Sequence, residues 1–93
     1  LYRVGNALSE TRGIIRIEGH TDNQMVGFSR TFKSNFDLSA ARAASVADFL
    51  VDETNLQNGR LTISGLADTK PIGDNLTARG RAQNRRIEIY LDE

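Results

Sequence analysis

Apolar positions along this chain switch repeatedly between helical and strand spacing. Leu1, Val4 and Leu8, with Ala7, recur at helical spacing and stop near Gly13, which predicts the tail of a helix. Ile14-Ile15-Arg16-Ile17-Glu18, closed by Gly19, is a short β-branched run and reads as a strand. His20 to Phe36 is polar and aperiodic around Gly27. At about 17 residues it exceeds the usual loop length, and such loops carry function or move. Leu38 to about Val51 is the strongest helical pattern. Leu38, Ala41, Ser45, Val46, Phe49 and Leu50 share its predicted face, and Asp37 or Ser39 is its expected N-cap. Asn58-Gly59 marks a turn, and Leu61 to Leu66 alternates as a half-buried strand does. Ala67 to Asn75 contains the only proline, Pro71, and reads as a loop. Thr77 to Gln83 is a short helix weakened by Gly80, and Arg86 to Leu91 alternates again as the last strand.

The order helix, strand, helix, strand, short helix, strand predicts an α/β (α+β) two-layer sandwich, with helices on one face of a small mixed sheet. Residues 1–93 form one domain. The chain opens inside a helical pattern without Met, so a further strand and any membrane anchor are expected upstream of Leu1. An internal echo links two strand ends. Ile17-Glu18-Gly19-His20-Thr21-Asp22 resembles Ile63-Ser64-Gly65-Leu66-Ala67-Asp68, each with an Asp three residues after a Gly. If the two strands are parallel, both Asp loops leave the same edge, where open α/β sheets bind ligands.

Composition narrows the function classes. Twelve basic residues balance twelve acidic ones, so no net field draws the chain to nucleic acid or anionic lipid. Absence of cysteine removes disulfides, thiolate metal sites and thiol nucleophiles. No apolar run is long enough to span a bilayer. The single His20 lies beside Thr21 and Asp22, but a zinc site needs more ligands, so neither a metal nor a cofactor is expected. Arg79 to Arg86 is a basic cluster without aromatic stacking partners. It reads as a solvated face with one or two structural arginines rather than a nucleic-acid patch. No nucleophile elbow or phosphate loop occurs. Asp22 and Asp68 as paired carboxylates of a glycan hydrolase lack an aromatic sugar cleft, so no enzyme activity is expected. Asn75-Leu76-Thr77 matches a glycosylation sequon, a pattern of high false-positive rate.

Asp22 and Arg42 are the residues best suited to a ligand. The carboxylate of one and the donor fork of the other form a socket for a zwitterion if the fold joins them. The alternative is a salt bridge between the two that pins the long loop to the helix, within a module that binds a protein partner. Spacing alone leaves the two readings even.

Four ordered blocks resemble the OmpA-like peptidoglycan-binding domain. They are Gly19-His20-Thr21-Asp22, Asn35-x-x-Leu38-Ser39-x-x-Arg42-Ala43, Gly65-x-Ala67-Asp68 with Pro71, and Gly80-Arg81-Ala82-x-Asn84-Arg85-Arg86-Ile87-Glu88-Ile89. Together they cover most of Ile14 to Leu91. The long insert and Ser34-Asn35-Phe36-Asp37 look most like the flagellar-stator branch, the MotB/PomB type. The resemblance implies non-catalytic binding of peptidoglycan through diaminopimelate. Asp22 takes the ammonium and Arg42 the neighbouring carboxylate. Thr21, Asn35, Ser39 and backbone N–H groups of the long loop complete the socket, and Arg85 also reaches the ligand. It further implies a periplasmic domain of a bacterial inner-membrane protein. The partners implied are a second copy of the chain, as a homodimer, and a MotA/PomA-type channel subunit. The outer-membrane OmpA/Pal type is the alternative branch.

Overall fold

In the computed structural model, residues 1–26 and 31–93 are described. The expected loop around Gly27 therefore lies partly outside the described residues. The elements are α1 (Tyr2–Ser9), β1 (Ile14–His20), α2 (Asn35–Glu53), a 3-10 turn at Asn58–Arg60, β2 (Leu61–Gly65), α3 (Ala78–Asn84) and β3 (Arg86–Asp92). The sheet order is β2-β1-β3, with β1 parallel to β2 and antiparallel to β3. This is the small mixed sheet expected, and the element order matches the periodicity reading.

Strand alternation sorts the sheet into two faces. Ile15 sits between Leu61 and Leu91, and Ile17 between Ile63 and Ile89. Ile15 and Ile17 are fully buried and pack with Ala43, Leu50 and Leu56. Each buried Ile or Leu side chain contributes about 1.5–3 kcal/mol. The opposite face carries Arg16, Glu18, Glu88 and Tyr90. Arg16 bonds Asp92 at 2.6 Å and Glu18 at 2.7 Å, and its guanidinium stacks 4.7 Å from the Tyr90 ring centre.

The helix face of α2 lies slightly off the expected one. Ser39, Ala43 and Leu50 are its buried residues, whereas Ser45 is exposed. The reason is the steric demand of the sheet. A Cβ on Gly19 would stand 2.1 Å from the Ser39 carbonyl oxygen, and one on Gly65 would stand 2.6 Å from the Ala40 nitrogen. Gly19 and Gly65 are register partners. The sequence echo is therefore a groove, made of two missing side chains, into which the first turns of α2 settle.

α2 also starts earlier than expected. Ser34, not Asp37 or Ser39, is the N-cap, and its hydroxyl accepts the Asp37 N–H at 3.2 Å. Asp37 reaches back to the Lys33 N–H at 3.0 Å, a variant of the reciprocal capping box. Asn35 thus belongs to the first helical turn rather than to the loop.

Gly80 does more than weaken α3. A Cβ there would lie 1.8 Å from the Asp74 carbonyl oxygen, so the preceding loop packs directly on the helix. Thr77 caps α3 through the Gly80 N–H at 2.9 Å. Buried Asn84 holds the same loop. Its Oδ1 accepts from Ile72 at 2.7 Å and Gly73 at 2.8 Å, and its Nδ2 donates to the Gly73 carbonyl and the Asn75 side chain. The sequon Asn75 and Thr77 are both engaged in this way. Arg60 ties the other end of the domain, donating to the carbonyls of Gly13 and Leu8 and to the Thr11 hydroxyl.

Candidate functional site

The carboxyl ends of β1 and β2 are locked together just beyond the sheet. Leu66 donates to the Gly19 carbonyl at 3.0 Å, and Thr21 donates to the Ala67 carbonyl at 2.9 Å. Ala67 has φ 53°, a left-handed conformation that costs a non-glycine residue roughly 1–2 kcal/mol. Its N–H donates to Ser39 Oγ at 3.1 Å, and that hydroxyl donates to the Phe36 carbonyl at 3.1 Å. Ser39 is fully buried, so it braces the loop from within rather than facing solvent.

Asp22 emerges from this brace. It is 6% exposed, a buried carboxylate at the sheet edge. Its Oδ1 accepts the Gln24 N–H at 2.9 Å, an Asx-type turn, and its Oδ2 accepts from Arg85 Nη1 at 2.7 Å. Thr21 Oγ1 donates to the Asp22 carbonyl at 2.7 Å. Asn35 Nδ2 donates to the Gln24 carbonyl at 2.9 Å, which fixes the turn against α2.

Arg42 lies on α2 one turn beyond Ser39, exposed and without an ion-pair partner among the described residues. The salt bridge between Asp22 and Arg42 that the alternative reading required is not formed; Arg85 holds Asp22 instead. The reason is strand register. His20 opposes Arg86 in the antiparallel β1–β3 ladder, so the chain just after β1 meets the chain just before β3. Asp68 is exposed.

Beside Asp22 opens a cleft of about 310 Å³ lined by Asn23, Met25, Val26, Asn35, Phe36 and Asp68, among others. Neither Asp22 nor Arg42 lines it. Asp22 therefore marks a polar site next to this hollow rather than inside it. Met25 and Phe36 are 88% and 56% exposed, which leaves apolar surface at its mouth.

Behind the site, on the open face of the sheet, lies a second ionic cluster that sequence reasoning did not assemble. Buried His20 places Nε2 3.3 Å from Glu88 Oε2 and 3.7 Å from Glu18 Oε1. Among the described residues neither ring nitrogen has a hydrogen-bond partner. Burial, helped by the Arg86 charge, holds the His20 pKa below its ordinary value. Glu88 accepts from Tyr90 and from Arg86 Nε at 2.5 Å, and the Tyr90 hydroxyl and the Arg86 guanidinium hold its carboxyl below the usual range. The only advance signal was the alternation that puts Glu18, His20, Arg86 and Glu88 on one face. Arg86 and Arg81 also bond backbone carbonyls, of Lys70 and Asn84 and of Asn75 respectively. They are the structural arginines expected within the basic cluster.

Comparison with known proteins agrees with this architecture. Outer membrane protein Omp38 of Acinetobacter baumannii is 46% identical over 88 residues, covering 94% of this chain and 23% of its own length. Motility protein B of Bacillus subtilis is 37% identical over 84 residues, covering 90% of this chain and 31% of its own. The chain thus spans about a quarter to a third of these relatives. Among solved structures, the cell wall anchor of the T6SS from Pseudomonas aeruginosa superposes with TM-score 0.83 at 42% identity, over 94% of this chain and 59% of that one. The C-terminal domain of Helicobacter pylori MotB reaches TM-score 0.87 at 28% identity, over 99% of this chain and 70% of that one. The profile of the OmpA family matches residues 1–85, and with the sheet, the glycine groove and the Asp22 edge in place, the chain belongs to the OmpA family.

Proposed function

We propose that this domain binds peptidoglycan without catalysis, through the amino-acid end of diaminopimelate. The observation that carries the reading is the unequal state of two charges at one end of the fold. Asp22 is a buried carboxylate held by the Gln24 N–H and by the half-exposed Arg85 guanidinium, and Arg42 is an exposed guanidinium with no ion-pair partner among the described residues. A ligand ammonium pairs with the first, and a ligand carboxylate takes a bidentate grip on the second. Asn35 holds the Gln24 turn, Thr21 holds the Asp22 backbone, and Ser39 holds Ala67, so their contribution is to position the socket.

Names of relatives support the reading. One similar structure is that of a cell wall anchor, and a mycobacterial relative at 38% identity is named a peptidoglycan-binding protein. Likeness to MotB periplasmic domains supports a stator role, in which a homodimer with a MotA/PomA-type channel partner is fixed to the wall from an inner membrane. The higher identity to Omp38 favours a second setting, an outer-membrane protein that uses the same domain. The sequence upstream of Leu1 separates them: a single membrane-spanning helix for the stator, a β-barrel for the other.

The test is sedimentation with purified sacculi. The unmodified chain co-sediments, and Asp22→Asn and Arg42→Ala each abolish this while circular dichroism stays native. Unchanged sedimentation of both variants overturns the assignment of the socket. Release of soluble muropeptides would overturn the non-catalytic reading.

A further inference from the structure

We infer that Arg85 is a gate on the Asp22 site, a built-in rival of the ligand ammonium rather than one of its contacts. The inference rests on the binding reading above and adds a residue with an opposite sign of effect.

Asp22 is engaged on both oxygens. Oδ1 is held by the Gln24 N–H, a neutral backbone donor that no ligand needs to move. Oδ2 is held by Arg85, a cation. The two halves of this ion pair differ in exposure: the Asp22 side chain is 9% exposed, and that of Arg85 is 44% exposed. Arg85 is therefore the solvent-side member, standing between water and the carboxylate. One carboxylate balances one cation. An ammonium arriving at Oδ2 while Arg85 remains leaves an excess positive charge in a poorly solvated place, so the two exclude each other.

Arg85 is also suited to leaving. Among the described residues its guanidinium has a single side-chain bond, to Asp22. Its neighbour Arg86 is held four ways, by the Glu88 carboxylate through Nε, the Asn84 carbonyl, the Lys70 carbonyl and the ladder to His20. Of two adjacent arginines, one is anchored and the other swings. Released Arg85 is hydrated at little cost because it is already half exposed, whereas Asp22 left alone would be a buried, uncompensated charge. The pair is consequently stable in the empty domain and yields only to another cation. That selects ligands with a free ammonium and rejects acylated ones.

The sign of a single substitution separates gate from contact. In Arg85→Gln the empty domain loses the partner of a buried carboxylate, so its melting temperature falls. The ligand no longer has to displace a cation, so its affinity rises by up to about fivefold, the scale of one partly exposed ion pair. A ligand contact would lower both quantities. The probe is meso-diaminopimelate, titrated calorimetrically into the unmodified chain, Arg85→Gln and Asp22→Asn, with its N,N′-diacetylated form as control. Tighter binding with lower stability in Arg85→Gln is expected. Equal or weaker binding by Arg85→Gln overturns the gate while leaving the socket intact. Undiminished binding by Asp22→Asn overturns the socket itself. A second measurement needs no variant: the Arg85 guanidinium proton signals in the unmodified chain lose their exchange protection on titration if the gate opens. Retained protection in the complex overturns it.

Discussion

The hydroxyl of Ser39 and the backbone of Ala67 are tied 28 residues apart: Ser39 Oγ accepts the Ala67 N–H at 3.1 Å and holds a residue at φ 53°. This is where helix α2 meets the loop after β2, and Asp22 leaves β1 at the same edge. Ser39→Ala leaves a buried N–H without a partner and frees a strained backbone. We expect a loss of about 1–3 kcal/mol in urea unfolding and weakened wall binding. A variant as stable as the unmodified chain would show that the left-handed turn holds without this brace.

His20 makes stability depend on pH. Its folded pKa lies below its ordinary value of 6.5, chiefly because burial opposes the charged form. The unfolded chain therefore binds the proton more readily, and folding is favoured while the imidazole is neutral. Stability from this group is present above the unfolded pKa and is lost as pH falls from about 6.5 toward the folded value. Chemical denaturation between pH 7.5 and roughly pH 5 should show the decline, and His20→Gln should flatten it. An identical slope in the variant would assign the decline to the carboxylates.

Gly80 sets helix propensity against packing. Propensity alone predicts that Gly80→Ala stabilises α3 by about 0.8–1 kcal/mol. The methyl would fall 1.8 Å from the Asp74 carbonyl oxygen, so packing predicts a loss. Overpacking of this kind costs typically 1–3 kcal/mol, and the net effect expected is destabilisation. Thermal melts decide the sign, and an increase in melting temperature would mean that the Asp74 loop is free to move away.

Arg42 is testable by ligand chemistry alone. Nα-acetyl-lysine amide presents a side-chain ammonium and no free carboxylate, so it engages Asp22 and not Arg42. Diaminopimelate should bind more tightly than this derivative by about 1.5–3 kcal/mol, the range for hydrogen bonds to charged groups. Arg42→Ala should erase that difference while leaving binding of the derivative unchanged. A difference that survives in the variant would place the carboxylate elsewhere.

Much of this molecule was legible in its sequence because the signals are local. The strand alternation of Leu61 to Leu66 and Arg86 to Leu91 needs only neighbouring residues, and each strand formed within a residue or two of its expected ends. α2 starts three residues before its expected position although Ser34-Asn35-Phe36-Asp37 is itself a capping signal, because the long polar stretch before it masks the boundary. The expected apolar face of α2 was displaced because helical periodicity knows nothing of the Gly19 and Gly65 groove that seats the helix.

By itself the sequence determined the order of elements, the mixed two-layer class and the family blocks, and it singled out Asp22 as the candidate carboxylate. Each of these follows from residue type and short-range spacing. Only the tertiary structure decided which cation meets that carboxylate. Arg42, 20 positions away, was the plausible partner by spacing, yet Arg85, 63 positions away, holds it. The physical reason is the antiparallel register that sets His20 against Arg86 and so delivers Arg85 to the end of β1, while Arg42 rides on the helix layer above. A register is a property of two strands aligned together, and no stretch of either one encodes it alone.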